Sequence, residues 1–211
     1  MKANILIALG LVAQGLFSAR FLIQLIRSEK AGKVTGPVIF WQLSLIASFL
    51  LMVYGTFRQD IVIVGGQLLG YLVYIRNLQL QKAWELFPKW ARIFFWILPL
   101  FFFLYLFFFQ LGVIGQLISN PEIDFFLLTW GSLGQVIFTS RFIVQWYASE
   151  QRQESYFPRS FWYISIFGAV IIAGYALARR DAVLFIGQAF GLIVYGRNLW
   201  MDLKRLMENG S

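Results

Sequence analysis

Two arginines, Arg20 and Arg141, lie inside long apolar stretches. Each sits six residues before the end of its stretch, at Ile26 and Tyr147, which is about 9 Å at 1.5 Å per helical residue. An arginine at the centre of a membrane helix costs roughly 2.5–3.5 kcal/mol on insertion scales, so each needs a partner. A guanidinium presents a planar fork that fits phosphate oxygens two at a time. A pair of them offered to an anionic headgroup is the chemistry these residues suggest. Snorkelling to the interface, or pairing with Glu29 and Glu150, is the structural alternative.

Further polar residues recur around them. Arg76-Asn77 and Arg197-Asn198 end two later stretches on the same side, as ordinary interfacial anchors or as additions to a phosphate receptor. Gln14, Gln24, Gln67, Gln135, Gln145 and Gln188 are neutral hydrogen-bonding groups within apolar spans. They are either interhelical bonds worth about 0.6 kcal/mol each or the lining of a sugar path. Trp41 and Trp162 suit an aromatic belt or stacking on a sugar ring. Tyr74 and Tyr195 lie on the same helical face as Asn77 and Asn198 and join the candidate substrate-binding set.

Other chemistry is excluded. The 211 residues contain no cysteine and no histidine, which removes disulfides, Cys/His zinc sites, Ser-His-Asp triads and histidine proton relays. None of the ten acidic residues falls mid-span, as the carboxylate of an ion-driven pump usually does. No metal, cofactor or catalytic residue is expected, and a lone enzyme is the least favoured function.

The elements that must position these groups are transmembrane helices. The chain is 59% hydrophobic and only 13% charged, against about 25% charged in a typical soluble domain. Seven stretches reach the roughly 20 residues needed to cross a bilayer: about 4–27, 38–57, 61–81, 91–118, 123–148, 159–178 and 182–201. With the N-terminus outside, twelve Lys and Arg fall on the inner side and four on the outer, the latter being Lys2, Arg58, Arg179 and Arg180. This bias predicts an N-out, C-in topology. It also accounts for the net charge of +8 without nucleic acid as a partner.

The chain repeats itself at an offset of 121 residues. QGLFSARFLIQLIRSE (14–29) lies over QVIFTSRFIVQWYASE (135–150) and PVIFWQLS (37–44) over PRSFWYIS (158–165). GQLLGYLVYIRNL (66–78) lies over GQAFGLIVYGRNL (187–199), and about a third of the aligned positions are identical without a gap. Each repeat holds three spans and one unmatched span separates them. This predicts an all-α membrane protein of 3+1+3 parallel-repeat plan, with a first repeat over 1–90, a linker helix over 91–121 and a second repeat over 122–211. Pro37 and Pro158 suit helix starts, and Asp60 and Asp181 suit N-caps. The pairs Gly66/Gly70 and Gly187/Gly191 suit close approach of helix backbones.

The 3+1+3 plan resembles the SWEET/PQ-loop transporters, although Ile23 and Val144 stand where the PQ signature has proline. The motifs RF-x-x-Q-x-x-x-SE, P-x-x-FW-x-x-S and D-x-V-x-x-x-GQ-x-x-G-x-x-VY-x-RNL, each present twice, resemble the lipid-A-disaccharide synthase N-terminal domain family. The catalytic part of that enzyme is not expected in this sequence. The resemblance implies a bacterial inner-membrane protein handling a lipid-linked sugar phosphate, with a polyprenyl-phosphate glycosyltransferase as a partner. The leading expectation is a flippase or facilitator of an anionic glycolipid. The alternatives are a SWEET-like facilitator of a small free sugar and a noncatalytic membrane subunit that docks a glycosyltransferase.

Overall fold

The structure is a computed structural model that describes residues 2–57, 61–105, 107–108, 125–180 and 182–209. Among the described residues it is entirely helical: α1 (Lys2–Ala31), α2 (Val38–Phe57), α3 (Ile61–Leu80), α4 (Lys89–Tyr105), α5 (Phe125–Arg152), α6 (Arg159–Ala178) and α7 (Ala182–Asn209). A short 3-10 turn, Trp84–Leu86, joins α3 to α4. The expected caps Asp60 and Asp181, the outer loop 120–124, the far end of the fourth span and the boundary at 121/122 lie outside the described residues.

Among the described residues, three helical segments are long and apolar enough to cross a membrane: Ala8–Ala31, Val38–Phe57 and Arg159–Ala178. Other helices also turn large apolar side chains outward. On α4 these include Ile97, Leu100, Phe101 and Phe103, while Leu98, Pro99 and Phe102 face inward. An outward-facing apolar surface of this kind suits lipid rather than water.

The chain forms two compact units. The first comprises residues 1–21, 37–120 and 153–155, and the second comprises 22–36, 121–152 and 156–211. Helix α1 therefore contributes its first two thirds to one unit and its last turns to the other.

Within the first unit α2 packs on α3, and α3 on α4. The start of α1 lies against α2, with Gly10 under the Tyr54 ring: a Cβ there would stand 3.0 Å from it. Within the second unit α6 packs on both α5 and α7. There Gly168 on α6 comes so close to α5 that a Cβ would stand 2.9 Å from the Phe138 Cα.

The helix ends follow local rules. Pro158 precedes α6 in extended conformation, where its missing N–H costs nothing. Gly32 ends α1 at φ +62°, and the Lys33 N–H returns to the Ser28 carbonyl at 3.2 Å, the bond that closes a Schellman cap. Gln153, at the matched position after α5, adopts φ +53° without being glycine.

The G-x-x-x-G expectation is corrected at Gly70 and Gly191. A Cβ at these positions would meet the side chain one turn later on the same helix, Tyr74 at 2.8 Å and Tyr195 at 3.0 Å. The glycines make room for a tyrosine ring, not for a neighbouring backbone.

Candidate functional site

Helix α1 places Phe17, Arg20, Phe21 and Gln24 at spacings of three and four residues, hence on one face. Helix α2 brings Phe40 and Ser44 to that face, one turn apart, and α3 brings Tyr74. The result is a cage around a buried guanidinium. The Arg20 Cζ lies 4.4, 4.9, 5.0 and 5.5 Å from the ring centroids of Phe17, Phe21, Phe40 and Tyr74. Its Nη1 donates to Ser44 Oγ at 2.5 Å, and Ser44 Oγ donates to the Phe40 carbonyl at 2.5 Å. A hydroxyl has one hydrogen and two lone pairs. Spending the hydrogen on the backbone leaves Ser44 an acceptor toward the arginine.

The second unit builds the same cage from matched residues. The Arg141 Cζ lies 3.5, 4.9, 5.5 and 5.3 Å from the centroids of Phe138, Phe142, Phe161 and Tyr195. Arg141 Nη1 donates to Ser165 Oγ at 3.3 Å, and Ser165 Oγ donates to the Phe161 carbonyl at 2.6 Å.

Both arginines are buried, and removing a charge from water costs several kcal/mol unless it is compensated. Ring faces contribute about 2 kcal/mol or more per desolvated contact. Ring faces do not cancel a positive charge. Among the described residues no carboxylate forms an ion pair with Arg141, and its buried Nε has no hydrogen-bond partner. A site of this kind attracts an anion. No group of three or more metal-binding side chains occurs among the described residues.

The structural alternative of pairing with Glu29 or Glu150 takes a different form. Glu29 holds Arg197 in a two-pronged ion pair, with Nη2 to Oε2 at 3.0 Å and Nε to Oε1 as the second bond. Arg197 also lies over the Trp200 ring at 4.3 Å. Glu150 accepts the indole N–H of Trp146 at 3.1 Å. Arg76 is half-buried and donates to Gln79 Oε1 at 3.4 Å. Arg20 and Arg76 belong to the first unit, Arg141 and Arg197 to the second.

The other polar residues divide by depth. Gln24 and Gln145 are fully buried and tie the connectors that follow their helices. Gln24 Nε2 donates to Ser28 Oγ and the Thr35 carbonyl at 2.9 and 3.1 Å, and Gln145 Nε2 to Ser149 Oγ and the Tyr156 carbonyl at 2.8 and 3.1 Å. Gln24 and Asn198 also exchange amide bonds at 2.8 and 3.2 Å. Asn77 donates to the Val73 carbonyl at 2.9 Å and accepts from Ser155 Oγ at 2.7 Å. Half-buried Gln67 accepts from Ser48 at 2.8 Å, whereas Gln188 has Ala169 at the position matching Ser48. Gln14 and Gln135 are exposed.

Each tryptophan leans on the tyrosine of its cage, Trp41 on Tyr74 at 6.1 Å and Trp162 on Tyr195 at 6.3 Å. The Trp41 indole N–H donates to Ser155 Oγ at 2.9 Å. The Trp162 indole nitrogen is buried and has no partner among the described residues.

Sequence reasoning missed the cage walls and floor: Phe17, Phe21, Phe40 and Ser44, with their counterparts Phe138, Phe142, Phe161 and Ser165. The signal was present, since all eight are identical between the repeats. Ser155 had no such signal, because Val34 stands at its matched position.

The chain matches the family model described as Lipid A Biosynthesis N-terminal domain twice, over residues 9–79 and 130–200. It is 28% identical to the lipid-A-disaccharide synthase of Chlamydia pneumoniae over 211 residues, 96% of this chain and 33% of that protein. It is also 28% identical to the enzyme of that name from Chlamydia felis over 214 residues, 96% of this chain and 34% of that protein. The Chlamydia muridarum protein of the same name is 26% identical over 212 residues, 94% of this chain and 33% of that protein. The chain thus spans about a third of the length of the curated relatives it matches. No solved structure matches it.

Proposed function

The chain belongs to the Lipid A Biosynthesis N-terminal domain family, and on that premise we propose that it is a membrane flippase or facilitator for an anionic glycolipid. The substrate class is a polyprenyl-phosphate-linked monosaccharide destined for lipid A or another envelope glycan. The protein spans the bacterial inner membrane seven times in a SWEET-like 3+1+3 plan, N-out and C-in.

The observation that carries this proposal is the buried, un-neutralised guanidinium of Arg141 in its aromatic cage, repeated in design around Arg20. A neutral free sugar gives such a charge nothing to do, whereas a phosphate oxygen completes it. The lipid tails stay in the bilayer while the headgroup uses the cages. Transport runs down the gradient that glycosylation inside and consumption outside create.

The test is reconstitution of the purified chain in proteoliposomes with a fluorescent polyprenyl-phosphate monosaccharide, with free sugar uptake followed in parallel. Wild type moves the lipid, and the Arg20→Leu/Arg141→Leu double variant loses at least tenfold in rate. Sugar uptake without lipid movement overturns the proposal.

A second function is favoured by one observation: the relatives named lipid-A-disaccharide synthase carry this region as a third of a longer protein. A noncatalytic membrane module that presents lipid to a glycosyltransferase fits that arrangement. It predicts normal glycolipid binding with no transbilayer movement.

A further inference from the structure

Buried polar hydrogens without partners are rare in folded proteins, and each asks for an explanation. The second unit holds two, Arg141 Nε and Trp162 Nε1. Both lie beside one ring: the Arg141 guanidinium is 5.3 Å from the Tyr195 centroid, and the Trp162 ring is 6.3 Å from it. Both are pure donors, so the group that satisfies them is an acceptor.

The first unit treats the corresponding tryptophan differently. Trp41 Nε1 is spent on Ser155 Oγ, and Ser155 passes its own hydrogen to Asn77 Oδ1. That chain of bonds leaves the Trp41 N–H with nothing to offer an oxyanion. A further buried group without a partner, the Tyr71 hydroxyl of the first unit, rests its ring against Phe95 at 6.4 Å.

We infer that the second unit carries an oxyanion subsite in which Arg141 Nε–H and the Trp162 indole N–H donate to the oxygens of a phosphate group. This rests on the proposed handling of an anionic glycolipid and makes the two repeats unequal, with Arg141 the direct phosphate ligand. Tyr195 is the ring that both side chains share as a neighbour. Among the described residues no carboxylate pairs with Arg141, so the subsite favours an anion over a neutral hydroxyl.

The test is lipid binding by the purified full chain in neutral detergent, read by native mass spectrometry. One arm uses a short-chain phosphatidic acid, a second the diacylglycerol of the same chains, and a third inorganic phosphate as competitor. Trp162→Phe keeps the ring and removes the donor. Arg141→Lys keeps the charge and removes the Nε–H. A hydrogen bond to an ionised group is lost in each, so each weakens phosphatidic acid binding about tenfold. Trp41→Phe weakens it less than twofold. Diacylglycerol binds poorly to every form. Competition by inorganic phosphate identifies a free-phosphate site, and its failure to compete identifies a lipid-headgroup site.

Equal losses in Trp41→Phe and Trp162→Phe overturn the inference, as does wild-type affinity in Trp162→Phe. If Trp162→Phe does not fold, Arg141→Lys decides alone, and wild-type affinity in it overturns the subsite. Phosphate binding that depends on this pair, in a protein that moves no lipid, sinks the flippase and keeps the subsite. Lipid movement with unaltered binding in both variants does the reverse.

Discussion

The cages around Arg20 and Arg141 use the same residue types at the same spacings, yet the two units do not hold them equally. Around Arg20 the arginine–serine bond is 2.5 Å and the nearest ring lies at 4.4 Å. Around Arg141 the bond lengthens to 3.3 Å and the nearest ring closes to 3.5 Å. One difference between the adjoining helices sits at a single matched position, where the first unit has Ala47 and the second has Gly168. Gly168 lets α6 approach the Phe138 backbone, and Phe138 is the ring that closes on Arg141. A duplicated design has been kept in its chemistry and altered in its packing, so that one guanidinium rests on its serine and the other on a ring.

The largest effect should come from removing that alteration. Gly168→Ala places a Cβ 2.9 Å from the Phe138 Cα, and overpacking of this kind costs about 1–3 kcal/mol. The reciprocal Ala47→Gly loses about 1 kcal/mol of helix propensity and clashes with nothing. Steric-trapping measurements of unfolding in bicelles check the order. Equal costs would mean that the close approach of α5 and α6 is not built into the second cage.

Next in size is the polar tie at the end of α1. Gln24→Leu leaves the fully buried Asn198 amide without its reciprocal partner, at about 1–3 kcal/mol by the penalty for an unsatisfied buried group. The same measurement with Asn198→Leu, and with both changes together, gives the coupling. A double variant costing less than the sum of the two single ones is expected, because neither amide is then stranded, while the loss of the Gln24 bonds to Ser28 and Thr35 is common to both Gln24 variants.

The tryptophans sharpen the comparison further. Ser155→Ala strips Trp41 of its acceptor and should cost about 1–2 kcal/mol. Val34→Ser installs a hydroxyl at the matched position, in the same unit as Trp162. It should stabilise that unit by up to about 1 kcal/mol and weaken phosphatidic acid binding, since it competes for the indole hydrogen. Stabilisation with unchanged binding would separate Trp162 from the phosphate.

These pairs also mark what could and could not be read from the sequence. Helix positions, the repeat and the buried arginines follow from apolar run lengths and from residues kept twice at one offset. Gln24, Asn77, Gln145 and Asn198 are kept in both repeats and buried, while Gln14 and Gln135, equally identical, are exposed. Identity between repeats thus reports shared constraint, not depth. The G-x-x-x-G pattern misled because the partner of Gly70 is Tyr74 on its own helix, a contact at i,i+4 that looks like helix packing in a linear pattern. Partition into units was beyond reach, because the 22–36 segment follows its helix in sequence and its neighbours only in space. Ser155 was beyond reach too, because its work is done in one repeat only.

The helix ends give a small and local contrast. Gly32 and Gln153 occupy the same left-handed position, and a Cβ at Gly32 meets nothing within 4 Å. Gly32→Ala therefore isolates the backbone cost, about 1 kcal/mol or somewhat more. A change well above that would mean that the Schellman turn also anchors the connector through Ser28, whose hydroxyl accepts the Thr35 N–H at 3.0 Å.

The smallest effect belongs to the exposed Glu29–Arg197 pair, although its geometry is two-pronged. Both side chains are solvent-accessible, so the attraction is shared with water and counterions. The Debye length falls to about 3 Å at 1 M salt, which leaves little of it. Glu29→Gln should therefore shift the unfolding midpoint slightly at low salt and not at all at 1 M, where Gln24→Leu keeps its full cost. If the Glu29→Gln effect survives high salt, the pair is holding the end of α1 against α7 as firmly as the buried Gln24–Asn198 exchange does. That end of the second unit would then be fixed by charge as well as by amides. Arg197 would in that case be committed to Glu29 and withdrawn from any phosphate site.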